Sequence, residues 1–157
     1  RRGRVAASAE HATDHRDGLH YPLLMLPLLA LSAWWFGYWG LVVFLAVLLH
    51  FVNDFYGTGW GIKLFWPFTD RQYKLLGRRV NRLRSLLQET GDWDTLAPNE
   101  RRLRLVVSWS STELPEYMAR WGIDDWIALY YGRLNWIVGI ESALFILALS
   151  WVTITLV

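Results

Sequence analysis

The chain has 157 residues, enough for one domain and cramped for two. Hydrophobic residues make up 54% of it and tryptophan alone occurs 11 times, while a formal charge of +2 is too small to argue for nucleic acid as a partner. Cysteine is absent, which excludes disulfides and thiolate-bound zinc.

Residues 1–13 are polar and small, and they open on Arg1-Arg2-Gly3-Arg4. The expectation is that the chain is a fragment or has lost a first segment, and with it some of any site at this end. Asp14-His15-Arg16-Asp17-Gly18-Leu19-His20 then leads into an apolar run over residues 21–36. Pro22 suits the first turn of a helix there, and Pro27 falls in its middle, where a kink is expected. Residues 37–40 read as a turn between two glycines, and residues 41–52 are apolar again. Two antiparallel helices follow, each about 24 Å long. That is short of a hydrocarbon core of roughly 30 Å, a gap that local thinning closes. The alternative is a soluble all-helical protein that buries both helices, but helices apolar all round need lipid or a large core. A signal peptide is rejected, because a second apolar run stands where a cleavage site belongs.

Gly57, Gly59 and Gly61 end the second helix, and the aromatics from Trp60 to Phe68 read either as an interfacial anchor or as a loop packed on the protein. Over residues 71–89, Tyr73, Leu76, Val80, Leu83 and Leu87 recur at helical spacing, with Arg71, Lys74, Arg78, Arg82 and Arg84 as a basic face. The spacing predicts an amphipathic helix suited best to an anionic leaflet, with nucleic acid or a partner protein as the alternatives. Residues 91–94 read as a turn, Pro98 as the start of a short helix through Val106, and Leu114-Pro115-Glu116 as a break. Asp124 is expected to cap a helix before Trp126. Residues 134–157, with Glu141 as their one charge, are long enough to span without help.

The basic residues lie before residue 17 and over residues 63–133, so the positive-inside rule puts both segments in the cytoplasm. Trp34, Trp35, Tyr38 and Trp39 then form an aromatic belt at the far interface. All four histidines fall at the cytoplasmic end of the hairpin. His50 and Asp54, one helical turn apart, can share an ion. His15 and His20 can join them if the chain bends at Gly18. Histidine and carboxylate without thiol suit zinc, manganese or iron. Asp14, Asp17 and His11 are candidates for extra ligands, supporting partners or a general base, and Arg16 can hold a phosphate. Glu141 can approach such a site or pair with a neighbouring polar side chain. The bland alternative, a hydrogen-bonded histidine and a solvated aspartate, is weakened because these groups fall at one depth.

His15-Arg16 and His20 at the head of an apolar helix, then His50 and Asp54, then Trp66-Pro67-Phe68 with Asp70-Arg71, resemble the bacterial inner-membrane metal-dependent hydrolases of the YdjM type. The resemblance covers residues 14–75. It implies that His15, His20, His50 and Asp54 are metal ligands, and it implies kinship with zinc-dependent phospholipase C-like phosphoesterases. Leu19 and Tyr21 stand where that family has Thr and Ser, and its upstream His and acidic motifs are not in the chain. The expectation is therefore an all-α membrane protein with a metal-site hairpin (14–56), a cytoplasmic or interfacial segment (57–133) and a C-terminal span (134–157). The expected function is a metal-dependent hydrolase, zinc being the favoured ion, acting on a phosphoester or lipid-like substrate at the cytoplasmic surface of the inner membrane. Asp14, Asp17 and Arg16 would be catalytic and membrane lipid the partner. The rival is a non-enzymatic membrane protein with a structural metal and a basic helix that recruits a partner.

Overall fold

The structure, a computed structural model, describes residues 19–123 and 126–156. Helix α1 (Pro22–Phe36) and helix α2 (Tyr38–Tyr56) form the expected hairpin. Pro22 sits in the first turn of α1, where its missing N–H costs nothing, and Pro27 is carried inside the helix. The turn is tighter than expected: Tyr38 to Gly40 are already helical, leaving Gly37 as the link. The helices approach so closely at Gly40 that a Cβ there would lie 2.5 Å from the Ser32 carbonyl oxygen. Helix α2 stops where the glycines begin, its last turn closed by the Gly57 N–H on the Asn53 carbonyl at 2.7 Å.

Both hairpin helices are apolar all round, and they bury little of that surface in the protein. In α2, 17% of the apolar window is buried, and Trp34, Trp35, Phe36, Tyr38 and Trp39 stand exposed around the tip. Among the described residues α2 is the one helix long and apolar enough to cross a membrane, with a mean hydropathy of 1.6. Helix α1 is shorter, because Pro22 begins it and Gly37 ends it.

Strand β1 (Gln72–Gly77) packs on α2 and pairs antiparallel with β2 (Arg104–Trp109), with Gln72 opposite Trp109 and Leu75 opposite Val106. Ile62 bridges Tyr73 on the other edge of β1. Around this two-stranded sheet lie α3 (Arg84–Glu89), the single turns α4 (Asp92–Thr95) and α5 (Pro98–Arg101), and α6 (Glu113–Trp121). Trp60, Val80, Leu87, Leu96, Val107, Trp109, Leu114 and Trp121 form one buried core. Trp60 meets Trp109 edge to face at 5.4 Å.

The chain is thus mostly helical, yet the all-α expectation fails over residues 71–109. The amphipathic helix expected over residues 71–89 is strand β1, an irregular segment and the short α3. The 3.6-residue spacing of Tyr73, Leu76 and Val80 coexists with a two-residue alternation of Tyr73 and Leu75 against Gln72 and Lys74. Burial of Val107 and Trp109 across the ladder from β1 favours the strand. No continuous basic helical face forms. The helix expected from Pro98 to Val106 stops at Arg101, and β2 takes over from Arg104. Residues 92–95 are a helical turn. Pro115 does not break the chain; it occupies the first turn of α6, where proline is tolerated.

Residues 126–156 belong to a second compact unit, with α7 (Trp126–Tyr131) and α8 (Trp136–Leu156). Asn135 starts α8, its Oδ1 accepting from the Ile137 and Val138 N–H groups at 3.0 and 3.3 Å. Asp124, the expected cap of α7, lies outside the described residues.

Candidate metal centre

The open end of the hairpin is built from the two helix ends that Gly37 folds together. His20 stands two residues before Pro22, just ahead of α1, and His50 and Asp54 lie one turn apart near the end of α2. The i,i+4 spacing puts the latter two on one helix face, with His50 Nε2 3.3 Å from Asp54 Oδ2. Packing of α1 on α2 brings His20, 30 residues earlier, to the same point. Its Nε2 is 3.0 Å from His50 Nε2 and 3.8 Å from Asp54 Oδ2.

These separations match those around one small cation. With zinc–nitrogen bonds of about 2.0–2.1 Å, two ligands of a tetrahedral ion stand roughly 3.3 Å apart. The three donor–donor distances bracket that value. One oxygen and two imidazole nitrogens therefore form a group that can hold a metal ion. Two neutral imidazoles at this distance share one hydrogen bond through Nε2 only if their tautomers differ. As ligands both would present Nε2 lone pairs and keep the proton on Nδ1.

Burial is graded across the site. The Asp54 side chain is 9% exposed, His20 18% and His50 53%, so solvent reaches the ion position from the His50 side. Phe51 is buried and its ring centroid lies 6.2 Å from each imidazole, fixing the apolar wall. Tyr21, next to His20, stacks on Trp66 at 4.3 Å, and the Lys63 ammonium lies 5.8 Å from the Tyr21 ring centroid. Trp66 therefore holds the His20 end of the chain in place. Reading the aromatics from Trp60 to Phe68 only as anchor or loop missed that role. Its signal was present in the Trp-Pro-Phe segment that follows the glycines.

Of the expected ligands, His20, His50 and Asp54 are brought together. His15 lies outside the described residues, as do Asp14, Arg16, Asp17 and His11. Glu141 is bonded within its own unit, accepting from the Tyr131 hydroxyl at 3.1 Å.

The arginines expected on a basic helical face are engaged by the middle of the chain. Arg78 Nε donates to the Arg101 carbonyl at 2.9 Å, and Arg82 Nε to the Trp121 carbonyl at 3.1 Å. Arg84 lies over the Trp93 ring. Arg79 donates to the Tyr117 hydroxyl at 3.1 Å and to Glu113 Oε1 at 2.9 Å. Burial opposes its charge, but these hydrogen bonds outweigh burial and raise its pKa. Glu113 is held below the usual carboxylate range, first by the Ser110 backbone N–H and then by Arg79.

Comparison with family models, with curated proteins and with solved structures returned no match.

Proposed function

We propose that the protein is a membrane-embedded metal-dependent hydrolase related to the YdjM type, acting on a phosphoester or lipid-like substrate where the hairpin opens at the cytoplasmic face of the inner membrane. The observation that carries this reading is the convergence of His20, His50 and Asp54 at the spacing of one cation's ligands. Support for the membrane comes from the hairpin's exposed apolar surface, since a core helix of a soluble protein would be mostly buried. Zinc fits two imidazoles and a carboxylate, and manganese or iron share that preference.

When bound, such an ion lowers the pKa of a coordinated water and polarises a phosphoryl oxygen. His20 and His50 supply neutral nitrogens, and Asp54 offsets part of the ionic charge from its buried position. Half-exposed His50 leaves the approach for substrate. In this proposal Asp14 or Asp17 takes the proton from water, Arg16 holds the phosphate, and His15 is a further ligand. The rival with a partner-recruiting basic helix loses its main element, because that helix does not form.

Metal analysis of the purified full chain tests the reading. One ion per chain is expected, and His50→Ala and Asp54→Asn should each weaken its binding by at least the 10–100-fold typical of losing a supporting partner. Both should abolish hydrolysis of a phosphodiester in detergent or lipid while the tryptophan spectrum stays unchanged. A stoichiometric ion with no hydrolysis would leave a structural metal centre.

A further inference from the structure

We propose that the projecting end of β2, residues 102–106, is a second lipid-contact site that docks on an anionic leaflet, with Leu103 and Leu105 at the acyl boundary and Arg102 and Arg104 on headgroup phosphates. The proposal rests on the reading that the hairpin lies in a membrane. It draws on a different part of the molecule.

Strand β2 leaves the core halfway along its length. Val107 and Trp109 are buried, but Arg104, Leu105 and Val106 are all exposed although consecutive strand residues point to opposite faces. This half of the strand is exposed on both faces, Leu105 more than Val106. Leu105 is 71% exposed and Leu103 51%, and Leu76 of β1 adds a third exposed leucine beside the same end of the ladder. Arg102 and Arg104, like Arg101 beside them, differ from the arginines of the core. Arg71, Arg78, Arg79, Arg82, Arg84 and Arg120 are committed to carbonyls, hydroxyls, carboxylates or rings. Among the described residues Arg102 and Arg104 make no ion pair and no ring contact through their side chains. Glu100, the nearest acid in sequence, is turned back onto the Ala97 N–H.

An exposed strand end with alternating leucine and arginine offers a small wedge of mixed apolar and cationic side chains, which suits a deformable lipid surface. A peptide adding to the sheet would need a flat edge with its side chains sorted between two faces. Guanidinium groups bind phosphate oxygens in a fork, and leucines beside them enter the headgroup–acyl boundary. A hairpin in the same bilayer keeps the wedge at high local concentration near the leaflet.

The absence of cysteine allows one label at a chosen position. The full chain carrying Val106→Cys with an environment-sensitive fluorophore is placed in nanodiscs of phosphatidylcholine, with or without phosphatidylglycerol, that contain brominated acyl chains. Quenching is expected in the anionic discs, and it should fall as salt is raised. Arg102→Gln with Arg104→Gln should lower partitioning roughly twenty-five-fold, given about five-fold for each basic residue near such a surface. Leu103→Ser with Leu105→Ser should remove quenching even in anionic discs. A Trp35→Cys label at the hairpin tip separates the two readings. If that label is quenched and the one at Val106 is not, the wedge proposal fails and the hairpin reading stands; if neither is quenched, both fail. Equal quenching in neutral and anionic discs would overturn the role given to the arginines. A shift that appears only with a copurifying protein would assign the wedge to a protein partner and overturn the lipid proposal.

Discussion

At Glu113 one carboxylate serves two structures. Its Oε2 accepts from the Ser110 N–H and hydroxyl at 3.0 and 3.1 Å, while the Glu113 N–H donates back to Ser110 Oγ at 3.2 Å, a reciprocal arrangement at the start of α6. Its Oε1 takes the Arg79 guanidinium. Because the folded state holds this carboxyl below its ordinary range, its contribution is fully present above an unfolded pKa of about 4.3. It is lost as pH falls from there through the folded value. Glu113→Gln should therefore lower the melting temperature at neutral pH by an amount corresponding to roughly 0.2–1 kcal/mol, since the pair is partly exposed. The difference from the parent should narrow on acidification. Thermal denaturation followed from pH 7 to about pH 3, below the ordinary glutamate range, checks the sign. An unchanged or widening gap would contradict it.

Elements were legible where their causes are local. A proline-opened apolar run, a second apolar run, a glycine link between them and a glycine stop specify α1 and α2, and His50 and Asp54 share a face because helical geometry puts them there. The strands were not legible. Residues 72–77 carry two periodicities at once, and the ladder that decides between them comes from residues 104–109. Asn135 was a readable cap, yet hydropathy alone drew the last helix two residues too early. Gly61 shows what the sheet demands of its neighbour. Its φ is +83°, and a Cβ would come within 2.1 Å of the Tyr73 carbonyl oxygen, on the bridge between Ile62 and Tyr73. Gly61→Ala should cost at least about 2 kcal/mol, combining left-handed strain with a backbone clash. Urea denaturation monitored by tryptophan fluorescence measures it, with an unchanged midpoint as the contrary result.

On the scale of the molecule, apolar surface is handled in two ways. The middle of the chain buries tryptophans, valines and leucines in one small core, latched by arginines across its loops. The hairpin leaves its leucines, valines and tip aromatics exposed. In water so large a contiguous patch is an association site; in lipid it is the ordinary exterior of a helix. The full chain should therefore stay with the membrane fraction through washes in high salt and alkaline carbonate, and leave it only in detergent. Release by carbonate would count against insertion. The His20, His50 and Asp54 group that can hold a metal ion lies where these two regimes meet, with Tyr21 stacked on Trp66 and β1 packed against α2.

The sequence by itself determined the two hairpin helices and the His50–Asp54 pair, because each follows from geometry within a few residues, while the link between the helices is tighter than the two glycines suggested. The tertiary structure decided that His20 joins that pair, that residues 72–77 extend as a strand, and that most of the described basic residues are taken up by carbonyls, hydroxyls, carboxylates and rings. Those outcomes depend on which distant segments close on one another. Closure of that kind is chosen by the burial of a shared core, and no local pattern carries it.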